Sequence, residues 1–283
     1  MPASVIRILS DLHFGEHASR VRRLGQLRPL LQGTDRLVLN GDTLDTRPSR
    51  DEAHTAACRA EVSRFFQENV PSVTFLTGNH DADLSGEHRL DLAAGRVLVT
   101  HGDILFDNIV PWSRDAADAG RRIAAERARE PGSRDDLDRL LAIHRRVAHG
   151  IPQRHQAERH RLRFIMRYLA DTVWPPHRIA LVLAAWRSLP SRAAELARRH
   201  KPAARFIITG HTHHRGIWRQ PCGRHVVNTG SFTLPLNPAA VDVSDDYVKV
   251  RAIVLRSGEF RLGPTLGEFP LAAPPAKTEE LGR

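Results

Sequence analysis

The sequence has few of the features that mark secreted or membrane-spanning proteins. Only two cysteines, Cys58 and Cys222, occur in 283 residues. They are too few for a disulfide framework and fit reduced thiols, with a single disulfide as the alternative. The longest apolar run, residues 179–186, is too short to cross a bilayer. The N-terminus has no basic segment followed by an apolar one, so we expect no signal peptide and a cytoplasmic location.

Aromatic residues are also scarce. They make up 6% of the chain and form no evident stacking platform for single-stranded nucleic acid. The apolar fraction of 41% and the charged fraction of 26% are typical of soluble globular proteins. This composition excludes collagen-like, wholly disordered and integral membrane proteins, and the length suits one large domain or two small ones.

Acidic residues are fewer than basic ones, and the imbalance is confined to one segment. Lysine and arginine number 42 against 32 acidic residues, which gives a net charge of +10. Residues 112–203 carry the whole excess, with twenty basic and ten acidic residues. Nearly all of the basic residues are arginines, whose planar guanidinium group suits the binding of phosphate. The segment either attracts an anionic substrate, an anionic membrane or nucleic acid, or simply places arginines on solvated helix faces.

The hydrophobic pattern predicts an α/β protein interrupted by a helical segment. Helices are predicted at 21–31 and 52–69, and strands at 5–10, 36–40, 72–76, 96–100, 205–209, 216–219, 225–228, 247–256 and 260–262. Strands that alternate with helices indicate a layered α/β body, and the later run of strands indicates a mixed part. Residues 112–203 are predicted to form several helices separated by prolines.

Five of the predicted strands end in polar residues that can bind a metal. The motifs are Asp11-Leu12-His13, Asn40-Gly41-Asp42-Thr43-Leu44-Asp45, Gly78-Asn79-His80-Asp81, His101-Gly102-Asp103 and Gly210-His211-Thr212-His213. Ligands collect at the carboxyl ends of strands in α/β sheets, so these motifs are expected to meet at one edge. Carboxylate, imidazole and amide donors without thiolates suit Mn, Fe or Zn in a catalytic rather than a structural site.

The number of donors favours two cations that share one carboxylate, because one tetrahedral ion cannot use them all. Taken singly, each motif has an ordinary structural explanation as a helix cap, a turn or a surface pair. Their joint occurrence at strand ends favours function. The histidines of the helical segment have no ligand spacing and are interpreted as solvated or capping residues; they are His144, His149, His155, His160, His177 and His200.

In this order, the five motifs resemble those of the calcineurin-like metallophosphoesterase superfamily, and Asn228-Thr229-Gly230-Ser231 resembles its following loop. The resemblance implies a four-layer αββα sandwich of two mixed sheets with a helical insertion. It implies a core formed by residues 1–111 and 204–263 and a basic insertion or cap at 112–203. Residues 264–283 are predicted to be a flexible tail.

The resemblance also implies a role for each motif residue. The first cation would take Asp11, His13, Asp42 and His213, and the second would take Asp42, Asn79, His101 and His211. His80 would act on the phosphate or the leaving group, Asp81 would orient His80, and Asp45 would give outer support. The implied reaction is hydrolysis of a phosphate ester or pyrophosphate by hydroxide activated by two divalent ions, with Mn favoured over Fe or Zn.

Substrate-binding residues cannot be assigned from the sequence, but the insertion is expected to cover the site. Its arginines would hold phosphate. Its apolar residues would either hold a non-polar substrate part or pack the helices together; they include Ile151, Phe164, Ile165, Met166, Tyr168, Trp174 and Trp186.

The layout is similar to that of the UDP-2,3-diacylglucosamine pyrophosphatases, which act on a lipid-linked nucleotide sugar at a membrane surface. His80 stands where those enzymes usually have arginine. A hydrolase of this kind, acting on a lipid-linked nucleotide sugar at the inner face of the membrane, is one alternative function. A nuclease or nucleic-acid-binding protein is another.

Overall fold

The fold is described from a computed structural model. It covers residues 4–48, 51–153 and 174–271, together with the single residues Arg163, Met166 and Ala170. Three apolar residues of the predicted cap, Phe164, Ile165 and Tyr168, lie outside the described residues, as do His155 and His160. The described helices include none with both the length and the apolar content needed to cross a membrane.

The first sheet has six strands, with parallel and antiparallel pairs. In spatial order they are β11 (Glu259–Pro270), β10 (Tyr247–Arg256), β9 (Ala239–Val243), β1 (Ile6–Leu9), β2 (Arg36–Asn40) and β3 (Val73–Leu76). β1, β2 and β3 run parallel, and the remaining pairs are antiparallel. The parallel strands are therefore the ones that carry the first three motifs.

The second sheet has five strands. In spatial order they are β4 (Arg89–Leu92), β5 (Val97–Thr100), β6 (Phe206–Thr209), β8 (His225–Asn228) and β7 (Gly216–Arg219). β5, β6 and β8 are parallel, whereas β4 and β7 pair antiparallel at the two edges. The prediction of two mixed sheets is confirmed.

Alternation along the strands produces separate apolar layers. Ile8 and Val99 lie in the cluster between the two sheets, whereas their chain neighbours Leu9 and Leu98 belong to clusters on the outer faces. Successive strand residues point to opposite faces, so a strand that is buried on both faces is apolar throughout. This explains why the strands read as continuous apolar runs.

Helices cover the outer faces of both sheets. The first sheet carries α1 (Arg28–Leu31) and α2 (Glu52–Asn69). The side of the second sheet carries α3 (Ala116–Arg129), α4 (Leu137–His149) and α5 (His177–His200). Asp51 begins α2 and Asp136 begins α4 by accepting hydrogen bonds from backbone N–H groups of the first turn. The chain thus forms the predicted αββα sandwich.

The predicted cap is part of this sandwich. In α5, Leu189, Ala193 and Ala197 are buried in one cluster with Ile207 and Val226 of the second sheet, and α4 contributes to the same cluster. The described helices between residues 112 and 203 therefore supply the outer layer of the second sheet, because packing there removes the small and apolar residues on one face of α5 from water.

Several predicted elements differ from the structure. Residues 264–270 are not a flexible tail, because β11 continues to Pro270, and Pro264 is tolerated since β11 is an edge strand. Residues 272–283 lie outside the described chain. The helix predicted at 21–31 is a 3₁₀ turn at Leu24–Leu27 followed by the single turn α1. Two short strands, β4 and β9, were not predicted.

The interpretation of His144 as a solvated or capping residue is wrong. Its side chain is fully buried on α4 and its Nε2 lies 3.1 Å from Nη2 of Arg127. The neighbouring Arg145 is also buried and holds the Asp103 carboxylate through two hydrogen bonds of 2.6 and 2.8 Å. Both side chains face inward because this face of α4 packs on the loop that follows His101.

Candidate metal centre

The five motifs lie on loops that leave the carboxyl ends of parallel strands. β1, β2 and β3 of the first sheet precede Asp11, Asp42 and Asn79, and β5 and β6 of the second precede His101 and His211. Asp11 N donates to Gly41 O at 3.1 Å, and Gly210 N donates to His101 O at 2.8 Å. These loop-to-loop bonds draw neighbouring motifs together.

One group of ligand atoms comes from Asp11, His13, Asp42 and His213. One such atom from each residue lies within 4.8 Å of those of the other three. His213 Nε2 is 3.1 Å from Asp11 Oδ1 and 3.2 Å from His13 Nε2. This is the set expected for the first cation.

A second group adjoins the first. It contains Asp42, His101 and His211, again with ligand atoms within 4.8 Å of one another. His101 Nε2 is 3.3 Å from Asp42 Oδ2 and 3.3 Å from Asn79 Oδ1, so the amide oxygen of Asn79 borders the same group. The structure therefore brings the seven predicted ligands together, and Asp42 is common to both groups.

Backbone strain coincides with these ligands. The backbone φ is +52° at Asp11, +48° at His13, +50° at Asp42, +67° at His211 and +59° at His213. The left-handed region is costly for residues other than glycine and is typical of functional sites. Five of the nine non-glycine residues with positive φ in the described chain are thus predicted ligands.

Three glycines allow the ligand loops to touch. A Cβ on Gly78 would lie 2.2 Å from Asp42 Oδ1, one on Gly210 would lie 2.1 Å from Asp11 Oδ2, and one on Gly41 would lie 2.5 Å from His101 Nδ1. Such separations are far below van der Waals contact. Glycine is therefore required at these positions for the ligands to converge.

Each of three histidines has one ring nitrogen engaged away from the cluster. His101 Nδ1 lies 3.0 Å from Asn40 O, and His211 Nε2 lies 2.8 Å from Ile109 O. Because a carbonyl only accepts, these nitrogens carry the proton, and the opposite nitrogen is left to bind a cation. His13 Nδ1 is held in the same way by Glu16 Oε1 at 2.9 Å.

Glu16 is a site residue that the sequence reasoning missed. Its carboxylate orients His13, and outer partners of this kind fix the tautomer of metal-binding histidines. The available signal was an acid three residues after a candidate ligand.

The carboxylates set the charge state of the neighbouring histidines. Burial alone would lower the pKa of His13, but Glu16, Asp42 and Asp11 outweigh it and raise that pKa to about 10. Burial likewise opposes the effect of Asp42 at His101, whose pKa is raised to about 9. Burial and the nearby His101 lower the pKa of His211 to about 4. The mixture of ionised carboxylates, imidazoles and one amide is a donor set that fits two divalent cations.

The expected orientation of His80 by Asp81 is wrong. Asp81 is buried and accepts hydrogen bonds from the backbone N–H groups of Asp42, Thr43 and Gly78, so it fixes the loops. Burial, followed by the proximity of Asp42, raises the pKa of Asp81 to about 6.

Asp45 is the residue that orients His80. Its Oδ2 lies 3.0 Å from His80 Nδ1, and Arg47 donates to the same carboxylate from Nε and Nη2 at 3.0 and 2.7 Å. Arg47 Nη2 lies 3.1 Å from the same ring nitrogen, so Asp45 and Arg47 together hold the His80 ring. His80 lines the cavity beside the ligands.

A cavity of about 280 Å³ lies over the ligand groups. Apart from the ligands, its lining includes Trp112, Pro152, Val182 and Trp186 from the predicted cap. Trp186 Nε1 donates to Thr212 O at 2.9 Å, and the Trp186 ring stacks on His214 with centroids 4.4 Å apart. The first half of α5 is therefore attached to the last ligand motif.

The sequence matches the family of calcineurin-like phosphoesterases over residues 4–215. The match covers most of the chain, and the fold and the ligand cluster agree with it. The chain belongs to the calcineurin-like phosphoesterase family and is a hydrolase of the metallophosphoesterase class. A search of curated protein sequences found no significant match.

Several solved structures resemble the chain at low identity. Vps29 from Cryptosporidium parvum is 13% identical with a TM-score of 0.47, and the match covers 95% of this chain and 98% of that chain. A dimetal phosphatase from Danio rerio is 12% identical with a TM-score of 0.45, covering 96% and 99%. A predicted phosphoesterase from Streptococcus pneumoniae is 15% identical with a TM-score of 0.40, covering 95% and 99%. These similarities are too distant to support an inference about function.

Proposed function

We propose that this protein hydrolyses a phosphate ester or pyrophosphate bond with the help of two divalent cations. The observation that carries the proposal is Asp42, whose carboxylate belongs to both groups of ligand atoms. A two-metal hydrolytic site needs such a shared ligand between neighbouring cations. Manganese suits the oxygen and imidazole donors, with iron and zinc as alternatives.

Asp11, His13, Asp42 and His213 would hold one cation, and Asp42, Asn79, His101 and His211 the other. When bound, the cations would neutralise phosphate oxygens and lower the pKa of the attacking water. The buried carboxylates, glycines and carbonyl-bound histidines hold these donors in place before substrate arrives, which limits reorganisation during the reaction.

His80 is the proposed proton donor to the leaving oxygen. Asp45 lies at hydrogen-bond distance from Nδ1 and fixes the ring, which leaves Nε2 as the nitrogen that would give a proton to the leaving group. Arg47 donates to Asp45, and its Nη2 also lies 3.1 Å from His80 Nδ1. Asp45 therefore orients His80, the proposed proton donor, within the cavity.

The test is hydrolysis of aryl phosphate monoesters, diesters and a DNA substrate by the manganese-loaded protein. His80→Ala should lower kcat by about 10²- to 10⁴-fold without changing the bound metal, which is the usual contribution of a general acid. Asp45→Asn should lower kcat less, and Asp42→Ala should lose both metal and activity. Asp83→Asn, an acid outside the cavity lining, is the matched control. Unchanged turnover in Asp42→Ala would reject the proposal.

A second candidate is hydrolysis of the lipid-linked nucleotide sugar UDP-2,3-diacylglucosamine at the inner face of the membrane. It is favoured by Val182 and Trp186 in the cavity wall and by the exposed Ile179, Leu181 and Leu183 on the same helix. An apolar substrate chain leaving the cavity would meet these side chains. Turnover of this substrate should then exceed turnover of the soluble sugar nucleotide without acyl chains, and equal rates would reject this candidate.

A further inference from the structure

A second cavity, of about 720 Å³, lies on the outer side of the loop that follows His101. It shares no lining residue with the cavity over the metal centre. Four arginines from three different elements line it, namely Arg127, Arg134, Arg192 and Arg199. We refer to it as the arginine groove, defined by these four residues. Its volume lies in the range of small-molecule sites.

The packing of α5 explains why two of these arginines face the groove. Arg192 and Arg199 are seven residues apart and therefore share one face of the helix, with Leu196 between them. The adjoining face, with Leu189 and Ala193, is buried against the second sheet. Rotation of α5 would expose that apolar face, so the sandwich core keeps both arginines directed at the groove.

Part of the positive charge has no protein partner. The side chain of Arg134 makes no hydrogen bond or ion pair with any described residue. Arg192 donates one bond of 3.1 Å to Leu105 O and lies over the Phe106 ring, 5.5 Å from its centroid. Its remaining N–H groups therefore stay available. The Nε of Arg127 is buried and has no partner in the described chain.

The two acids of the groove are already engaged. Asp107 accepts from Arg127 at 2.9 Å, and Glu195 accepts from Arg198 at 2.7 and 2.6 Å. Neither acid forms an ion pair with Arg134 or Arg192, although Arg192 is close enough to help lower the pKa of Asp107. The groove thus offers two guanidinium groups without a carboxylate partner, above apolar side chains such as Leu105 and Leu140.

We propose that the arginine groove binds a phosphorylated organic molecule at a site separate from the metal centre. The guanidinium forks of Arg134 and Arg192 would hold phosphate oxygens, since arginine binds phosphate in two-pronged geometry. The apolar floor would hold the organic part. The proposal goes beyond the phosphoesterase reaction and does not depend on it.

The test uses adenosine α,β-methylene diphosphate, which resists hydrolysis between its two phosphorus atoms, titrated into the full-length manganese-loaded protein by calorimetry. Arg134→Glu should weaken binding at the groove at least tenfold. This variant should leave folding intact, because Arg134 is exposed and its side chain forms no hydrogen bond or ion pair with a described residue. His80→Ala should leave groove binding unchanged. Arg121→Ala, at an exposed arginine of α3 outside the groove, is the matched control and should bind like the wild type.

Binding that disappears in His80→Ala but survives in Arg134→Glu would place the ligand at the metal centre alone and overturn the proposal. Equal affinity in wild type, Arg134→Glu and Arg121→Ala would also overturn it. Because His80 and Arg134 belong to different cavities, an inactive enzyme that still binds the probe through Arg134 would leave the groove proposal standing while the hydrolytic one fails.

A second arm distinguishes a free ligand from a lipid headgroup. The same variants are sedimented with vesicles of phosphatidylcholine containing one quarter phosphatidic acid. Sedimentation that Arg134→Glu abolishes would identify a phosphorylated headgroup as the source. Calorimetric binding without sedimentation would identify a free molecule. Failure of both arms in the wild type would overturn the proposal.

Discussion

At the scale of single residues, the metal centre depends on unfavourable backbone angles. A non-glycine residue in the left-handed region costs on the order of 1–3 kcal/mol, and five predicted ligands adopt it. The rest of the fold must stabilise these conformations, which it does through loop-to-loop hydrogen bonds and glycine contacts. The ligands are consequently positioned with little freedom to relax.

Gly78 tests how tightly the shared carboxylate is held. In Gly78→Ala the new Cβ would lie 2.2 Å from Asp42 Oδ1 and 2.5 Å from Asp42 N, so the Asp42 loop has to move. A shift of about 1 Å at a reacting centre can cost roughly 100-fold in rate, and we expect a loss of that order with less bound metal. Metal content and kcat are the measurements.

Gly86→Ala is the matched control, because a Cβ there has nothing within 4 Å and should change neither quantity. A fully active Gly78→Ala protein that keeps its metal would contradict the close approach of the two loops.

Protons should compete with metal at His13 and His101. Their pKa values of about 10 and 9 leave both rings protonated at pH 7 in metal-free protein. Cation binding must displace these protons, so metal affinity should rise with pH up to about 10. Calorimetry in two buffers of different ionisation enthalpy should detect at least one proton released, and fewer in His13→Gln. Identical heats in both buffers would count against this charge state.

At the scale of elements, α5 contacts both the second sheet and the metal-site cavity. Its second half covers the second sheet, while its first half borders the cavity and bonds to the Gly210–His213 motif through Trp186. A change in the packing of α5 is therefore expected to reach the metal centre along this helix. The sequence of residues 112–203 is basic and helical, and this composition gave no sign that α5 packs on the second sheet.

Leu189 measures the stability that α5 contributes. It is 1% exposed, so Leu189→Ala should lower the free energy of unfolding by about 2–5 kcal/mol through lost burial and a cavity. Leu183→Ala, on the same helix but 54% exposed, should change it by less than about 1 kcal/mol. Urea denaturation of both variants is the measurement. Equal effects would mean that α5 is not part of the core.

At the scale of the whole molecule, a buried polar network joins the helical layer to the ligand loop. Asp103 follows the ligand His101 by two residues and is held by Arg145 of α4. Burial opposes ionisation of Asp103, but Arg145 and His101 lower its pKa below the usual range. The neighbouring His144 is buried in the same region. Such a network makes the stability of the molecule sensitive to acid.

His144 gives this sensitivity a defined pH range. Burial, reinforced by Arg127 and Arg145, lowers its pKa from 6.5 to about 4. The unfolded chain therefore binds the proton more readily, and stability falls as pH drops from about 6.5 toward 4, by on the order of 3 kcal/mol. Asp103 acts in the same direction at still lower pH: because its pKa is lowered in the folded protein, stability is lost as the carboxylate becomes protonated.

Urea unfolding at pH 7, 5.5 and 4.5 measures this loss. His144→Gln keeps an acceptor for Arg127 but has no titrating ring, so its unfolding free energy should change less across that range. A wild-type protein that is equally stable at pH 7 and 4.5 would disprove the assignment.

Much of the fold was predictable because its signals are local. Strands buried on both faces read as apolar runs, and Glu52–Asn69 has the periodicity of the helix that the structure contains. The strand β4 was missed because Arg89 and Asp91 interrupt its apolar residues. The extension of β11 past Pro264 was not predicted, because a proline usually ends a strand. The proline is tolerated here because β11 lies at the edge of the sheet.

The sequence alone determined which residues can bind metal and that they follow strands, because residue type and strand periodicity are properties of short stretches. Tertiary structure decided which partners they have. Asp45 rather than Asp81 reaches His80, and α5 lies on the second sheet. These pairings depend on contacts between distant loops, whose geometry is set by the packing of two sheets and leaves no trace in local sequence.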